Sequence, residues 1–238
     1  MDVKHKKTVL HWSGGKDCAI ALHKLQQSPR YSVMKLFTAI NRDQNRVTMH
    51  GVRRELIERQ AREIGLPITI MELPDQPGME VYNRRLKSEM NRLKKEGITH
   101  AAFGDIFLED LKTYRENQMQ AVGLRPVFPL WQMDTKKLIR QFIDHKFRAY
   151  VVSVQGDKLK RNVAGQKLDD AFVNNLPDDV NPCGENGEFH TFVYDGPIFS
   201  NPVSCRKGEL TYRDYKSPQN GSNKESTTRF WFREILPA

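Results

Sequence analysis

The chain has 238 residues, 38 Lys and Arg against 29 Asp and Glu, a formal charge of +9 and 38% apolar residues. That length allows one full domain and a smaller appended one, with a core that buries about 70% of the unfolded surface. No apolar run approaches the roughly 18 residues of a membrane span, and the apolar fraction is too high for a wholly disordered chain.

In chain order, Thr8–Trp12 reads as a buried strand. The turn Ser13-Gly14-Gly15 and a helix from Asp17 to Gln27 follow it. Val33–Ile40 is a second strand, and Val52–Ile64 a helix with Leu56, Ile57, Ala61 and Ile64 on one side. Ile68–Met71 is a third strand, Met79–Lys95 a long charged helix, and His100–Gly104 a fourth strand. Leu108–Val122 is helical, and Pro126–Trp131 gives the fifth strand. Strands alternating with amphipathic helices predict an α/β fold, a doubly wound five-stranded parallel sheet. Beyond residue 132 the pattern changes. A helix over Thr135–His145, a strand over Ala149–Val154 and a short helix over Leu168–Leu176 lead into loop and strand from Asn181. Lys216–Thr228 is nearly devoid of apolar residues and reads as a hairpin loop, followed by a last strand over Arg229–Arg233. The expected division is residues 1–132 for the domain of the parallel sheet and 133–238 for a smaller α+β domain.

Cys18, Cys183 and Cys205 form no Cys-x-x-Cys pair and fit a reducing compartment. No signal-peptide apolar region follows the basic start Met1–Lys7, so a cytoplasmic location is expected. Residues 1–130 carry 22 basic and 15 acidic side chains and most of the charge excess. Such a half suits a polyphosphate ligand, and nucleic acid is a possible but less favoured partner. A homodimer stays open.

The sharpest feature is Ser13-Gly14-Gly15-Lys16-Asp17-Cys18, which follows a strand and opens a helix. A glycine turn leaves backbone N–H groups accessible, and the helix dipole points its positive end at the same place. A phosphate chain is the natural occupant, with Lys16 adding charge and Asp17 ordering the loop or holding magnesium. The spacing is too short for a Walker loop and does not match Gly-x-Gly-x-x-Gly.

The hexapeptide resembles the PP-loop of the N-type ATP pyrophosphatases, Ser-Gly-Gly-x-Asp-Ser, with Cys18 in place of the last Ser. The resemblance implies an adenine nucleotide alpha-hydrolase-like domain that uses ATP and Mg2+, transfers AMP to a substrate oxygen and releases pyrophosphate. A second segment, Glu185-Asn186-Gly187-Glu188-Phe189-His190-Thr191, resembles Glu-Gly-Gly-Glu-Phe-Glu-Thr of the diphthine–ammonia ligase-like branch. Met49–Arg53, Gly104–Ile106, Tyr114–Arg115, Pro129–Trp131 and Gly165 fit that branch too. The resemblance implies ATP contacts from Ser13, Gly14, Gly15, Lys16, Asp17, Cys18, Ala39, His50 and Gly104. Magnesium would sit at Asp17 and Asp105. Catalytic roles would fall to Lys16, Asp17, Glu185, Glu188 and His190.

The implied function is an ATP-dependent ligase that adenylates a carboxylate or amide oxygen of a small molecule or protein side chain, then amidates it with ammonia or an amine. Asn186 replaces a Gly of the motif and His190 replaces a Glu, a loss of negative charge that argues for an acceptor other than diphthine. Two other classes compete: a PP-loop tRNA-modifying sulfurtransferase using Cys18 or Cys183, and a non-catalytic ATP sensor.

Overall fold

A computed structural model describes residues 5–47, 50–216 and 227–238. The elements are β1 (Lys6–His11), α1 (Lys16–Gln26), β2 (Tyr31–Asn41), β3 (Arg46–Val47), α2 (Arg54–Ile64), β4 (Ile68–Leu73), α3 (Met79–Lys95), β5 (His100–Ala102), α4 (Glu109–Gln120) and β6 (Arg125–Val127). They are followed by α5 (Thr135–Asp144), β7 (Arg148–Gln155), a 3-10 turn (Arg161–Val163), α6 (Asp170–Asn174), β8 (Phe189–Asp195), β9 (Cys205–Lys216) and β10 (Thr227–Pro237).

The run Thr8-Val9-Leu10 is completely buried because β1 lies in the middle of the first sheet, paired in parallel with β2 on one side and β5 on the other. β4 adds to β2 and β6 to β5, both parallel, so the parallel order is β4-β2-β1-β5-β6. The two-residue β3 pairs antiparallel with the end of β2. Alternation along the strands sorts the helices onto two faces. Leu10, Leu36 and Ala102 pack with α1 and α2 through Ala19, Leu22, Leu56 and Ile57. Val9, Phe37 and Ala101 pack with α3 and α4 through Leu86, Met90, Leu93 and Met119. This is the doubly wound sheet expected from the sequence. Chain order reverses direction between β1 and β5, the position at which open α/β sheets form a crevice beyond their strand ends.

A second, antiparallel sheet has the order β8-β7-β10-β9. Its residues Val151, Phe189 and Phe192 share one apolar core with α1, α2 and α5, so burial is continuous across residue 132. Helix α5 is started by Asp134, whose carboxylate accepts from the Lys137 N–H at 2.8 Å, and buries Leu138, Ile139 and Phe142.

Several boundaries differ from the sequence reading. The fifth parallel strand is only Arg125–Val127, because Phe128–Trp131 turns away in bonds such as Trp131 N–H to the Phe128 carbonyl. The strand Cys205–Lys216 was not foreseen, and the last strand is longer than Arg229–Arg233, since β9 and β10 pair from Lys216↔Thr227 to Cys205↔Pro237. Lys216, Thr227 and Thr228 are therefore strand rather than loop, while the rest of the expected loop, 217–226, lies outside the described residues. Met49 of the Met49–Arg53 segment also lies outside them. No described helix is long and apolar enough to cross a membrane.

Candidate nucleotide and ligase site

Helix α1 starts without a side-chain cap: Gly15 holds the N-cap position in extended backbone and supplies no capping group. The first N–H groups of any helix lack intrahelical acceptors, and here Ala19 N–H to the Gly15 carbonyl is the first intrahelical bond. Gly14 adopts φ +83°, and a Cβ there would stand 2.6 Å from Ile57 Cδ1, so only glycine fits. The loop is pinned from the second sheet. Val193 N–H donates to the Gly14 carbonyl at 2.9 Å, and Lys16 N–H donates to Thr191 Oγ1 at 3.0 Å. Lys16 N–H thus has an acceptor, contrary to the expectation of a fully open row of donors.

Above the loop lies a cavity of about 400 Å³ at the crevice between β1 and β5. Of the residues expected from the sequence, Ser13, Lys16, Asp17, Cys18, Ala39, His50, Gly104, Asp105, Glu185 and His190 all line it. Gly14 and Gly15, also expected from the sequence, are not among the lining residues but stand in the chain between two that are, Ser13 and Lys16. Gly15 lies so close under His50 that a Cβ would be 3.3 Å from its Nε2. Gly104 brings β5 against the start of α1, where a Cβ would meet the Asp17 carbonyl carbon at 3.0 Å and Cys18 N at 3.1 Å.

Glu188 is the exception. Its carboxylate accepts from Asn181 N–H at 2.9 Å, Asn186 N–H at 3.0 Å and Asn186 Nδ2 at 3.0 Å, closing the turn rather than facing the cavity. Asn186, the departure from Gly in the motif, contributes two of those bonds. Glu185 does reach the cavity and ties it shut on one side, accepting from Ile106 N–H at 2.8 Å.

The electrostatics follow from burial. Lys16 is 2% exposed and pairs with Asp17 at 2.9 Å. Burial opposes its charge, but Asp17, Cys183 and Glu185 outweigh that, so its pKa is raised. Burial also raises the Asp17 pKa against the pull of Lys16, with nearby Asp105 adding to the rise. Glu185 is pushed up to about 7, first by burial, against the Ile106 N–H and with the Asp17 charge adding to it. His190 is held well below the usual imidazole range by burial, then by His50 and Lys16, so it is neutral, with its ring 4.5 Å from that of His50. Burial pushes the Cys18 thiol up to about 11 and Cys183 up to about 12.

Among the described residues, most buried polar atoms left without a partner gather here, with Asp17 Oδ1, Thr38 Oγ1, His11 Nε2 and His190 Nε2 all on cavity residues and Ser153 Oγ lying elsewhere. Such atoms cost free energy unless a ligand satisfies them. Among the described residues no group of three or more His, Cys, Asp or Glu could hold a metal ion. Asp105 instead pairs with Arg115, Nε to Oδ2 at 2.6 Å.

Three contributors escaped the sequence reading. Tyr82 and His11 line the cavity, and His11 is wedged between Phe37 and Phe103 at 4.8 and 4.3 Å. Gln60, fully buried on α2, accepts from Trp12 Nε1 at 2.8 Å and donates to the Gly14 and Val193 carbonyls at 3.0 and 2.6 Å. Its signal was a polar residue on the Leu56, Ile57, Ala61 stripe.

A strand–glycine loop–helix at the reversal point of a doubly wound sheet, with lysine and aspartate at the helix start, defines a nucleotide-binding protein of the PP-loop class. Residues 6–126 match the diphthamide synthase N-terminal domain model and residues 134–218 the diphthamide synthase C-terminal domain model, so the chain belongs to the diphthamide synthase family. Similar curated proteins include the diphthine–ammonia ligases of Schizosaccharomyces pombe, 32% identical over 132 residues, and Homo sapiens, 27% identical over 122 residues. These matches cover 51% and 49% of this chain but only 22% and 46% of the relatives, so the chain spans half or less of the length of either. Among solved structures, a predicted tRNA methyltransferase subunit from Methanocaldococcus jannaschii aligns with TM-score 0.40 and 16% identity over 63% of this chain and 79% of that one. The U34-tRNA thiolase of Methanococcus maripaludis aligns with TM-score 0.38 and 17% identity over 60% and 58%.

Proposed function

We propose that this chain is an ATP-dependent, AMP-forming ligase that amidates a carboxylate. Residues 1–132 would bind the nucleotide and residues 133–238 the acceptor. The observation that carries the reading is the single cavity in which the PP-loop residues meet Glu185 and His190 of the C-terminal motif. An acceptor oxygen attacks the α-phosphorus, forming an acyl adenylate as the bond to pyrophosphate breaks. The nitrogen of ammonia or an amine then attacks the acyl carbon, and AMP leaves.

Gly15 and the open N–H groups at the start of α1 hold the outer phosphates, and Lys16 offsets the charge of the departing pyrophosphate. Ala39 and His50 flank the rest of the nucleotide. Glu185, with a pKa near 7, is suited to take the proton from the incoming nitrogen at neutral pH. Mg2+ fits the donors present, since nucleotide-bound magnesium needs only one or two carboxylates beside the phosphates and Asp17 Oδ1 is buried without a partner. Asp17 would hold it, with Asp105 as a second carboxylate once released from Arg115, and it would neutralise phosphate charge.

A neutral, half-buried His190 where the motif carries Glu removes the carboxylate that would attract a quaternary ammonium, which supports an acceptor other than diphthine. The sulfurtransferase alternative needs an activated thiolate, and burial drives both Cys18 and Cys183 the other way.

The test is product analysis with ATP, ammonium and a panel of carboxylate acceptors that includes diphthine-modified elongation factor. AMP with pyrophosphate is expected, while ADP with orthophosphate refutes the reading, and ATP binding without turnover on any acceptor favours a sensor. Amidation of diphthine refutes the altered acceptor. His190→Glu is expected to raise activity toward cationic acceptors, read as kcat/KM ratios.

A further inference from the structure

We propose that Gln60 is a positioning residue that aims the Gly15 N–H at the nucleotide phosphates and couples that aim to strand β8. The proposal rests on the nucleotide reading above and deepens it. A trans peptide sends its C=O and N–H in opposite directions. The Gly14 carbonyl is held from behind the loop by Gln60 Nε2 at 3.0 Å and Val193 N–H at 2.9 Å. The N–H of the same peptide, on Gly15, therefore points to the opposite side, where its nearest acceptor is the cavity-lining Ser13 Oγ at a weak 3.4 Å.

At φ +83° Gly14 has no Cβ to resist a flip of this peptide, so the hydrogen bonds alone fix its direction. A flipped peptide would present a carbonyl oxygen to an anion. Gln60 has no conformational choice left. Its Oε1 accepts from Trp12 Nε1 at 2.8 Å, which leaves Nε2 to donate to Gly14 and, at 2.6 Å, to the Val193 carbonyl. That last bond grips the same strand that carries His190 and Thr191. One side chain thus sets the phosphate donor and the acceptor strand in a single register.

The experiment compares wild type with Gln60→Glu, which keeps the volume but replaces the Nε2 donor with oxygen, and Gln60→Met, which removes both polar groups. Calorimetry measures ATP, pyrophosphate and AMP affinities on protein shown to be folded by circular dichroism. ATP and pyrophosphate affinities are expected to fall at least about tenfold in both variants, with AMP affinity within about twofold of wild type. A role confined to folding would lower thermal stability and leave the ATP-to-AMP affinity ratio unchanged, and that result overturns the proposal.

Should both variants fail to fold, wild-type protein labelled with 15N-glycine decides. The Gly15 amide resonance should move on adding pyrophosphate or ATP and stay in place with AMP. A Gly15 resonance unmoved by bound ATP overturns the proposal but leaves the nucleotide reading standing. A wild-type protein that binds neither ATP nor pyrophosphate refutes that reading, and the proposal with it.

Discussion

Lys16 is buried and pairs with the half-buried Asp17 at the mouth of the PP-loop. Removing Lys16 leaves the Asp17 charge uncompensated in a partly desolvated site, so Lys16→Ala should both destabilise the chain and weaken ATP binding. We expect a fall of about 10- to 100-fold in ATP affinity, consistent with loss of one charge-assisted hydrogen bond, measured by calorimetry. AMP formation should be abolished.

Glu185 makes an opposite prediction for stability. Its pKa is raised from 4.5 to about 7, so the fold favours the protonated carboxyl. The resulting destabilisation is absent below pH 4.5, grows as pH rises, and is complete above about 7. Glu185→Gln keeps an oxygen for the Ile106 N–H and removes the charge. It should therefore be more stable than wild type at pH 8 by about 1 kcal/mol, allowing for partial exposure, and equal to it at pH 4. Chemical denaturation at the two pH values checks this. In turnover, the wild-type rate should climb through pH 7, and the variant should lack that rise.

At the scale of elements, the approach of β5 to the start of α1 is the critical spacing. Gly104→Ala would place a methyl group 3.0 Å from backbone of Asp17, and backbone cannot give way as a flexible side chain would. Overpacking of this kind costs about 1–3 kcal/mol. A lowered melting temperature with a weakened ATP affinity is expected; unchanged ATP affinity would show that the α1 start is not the phosphate seat.

The same elements explain what could be read in the sequence. The PP-loop was legible because a fully buried strand, two glycines and a Lys-Asp pair stand in one continuous segment. Helix α2 was legible from its Leu56, Ile57, Ala61 and Ile64 stripe, and α3 as a long charged stretch. Strand β9 was not, because Cys205–Lys216 alternates few apolar residues and its pairing partner β10 follows a ten-residue interval outside the described structure. Glu185 and Glu188 looked equivalent three residues apart. Only the folded turn, with Asn181 and Asn186 donating to Glu188, separates the one that faces the cavity from the one that does not. The role of Gln60 was not legible, although it stands on the apolar stripe of α2, because its partners Trp12, Gly14 and Val193 are distant in the chain.

Across the whole molecule, the inner strand β10 of the second sheet is fastened to the β3–α2 segment beside the first sheet by Glu234, which pairs with both Arg46 and Arg53. The two guanidinium groups, Arg46 foremost, hold its carboxyl below the usual range against a smaller opposing effect of burial. A lowered carboxylate pKa adds stability that is present above the unfolded value of 4.5 and lost as pH falls through the folded one. Glu234→Gln should therefore lower the melting temperature by about 2–4 °C at pH 7, as expected for a pair worth about 1 kcal/mol. The difference should shrink toward zero at acid pH, and calorimetric scans at both pH values test it.

The two sheets share more than this clamp, since Val193 and Thr191 of β8 bond directly to Gly14 and Lys16. A lineage that drifts toward a new acceptor by changing the backbone course of β8 would disturb its nucleotide grip at the same stroke. Single side chains that point into the cavity without fastening the loop, His190 foremost, are where such a lineage can diversify at little penalty.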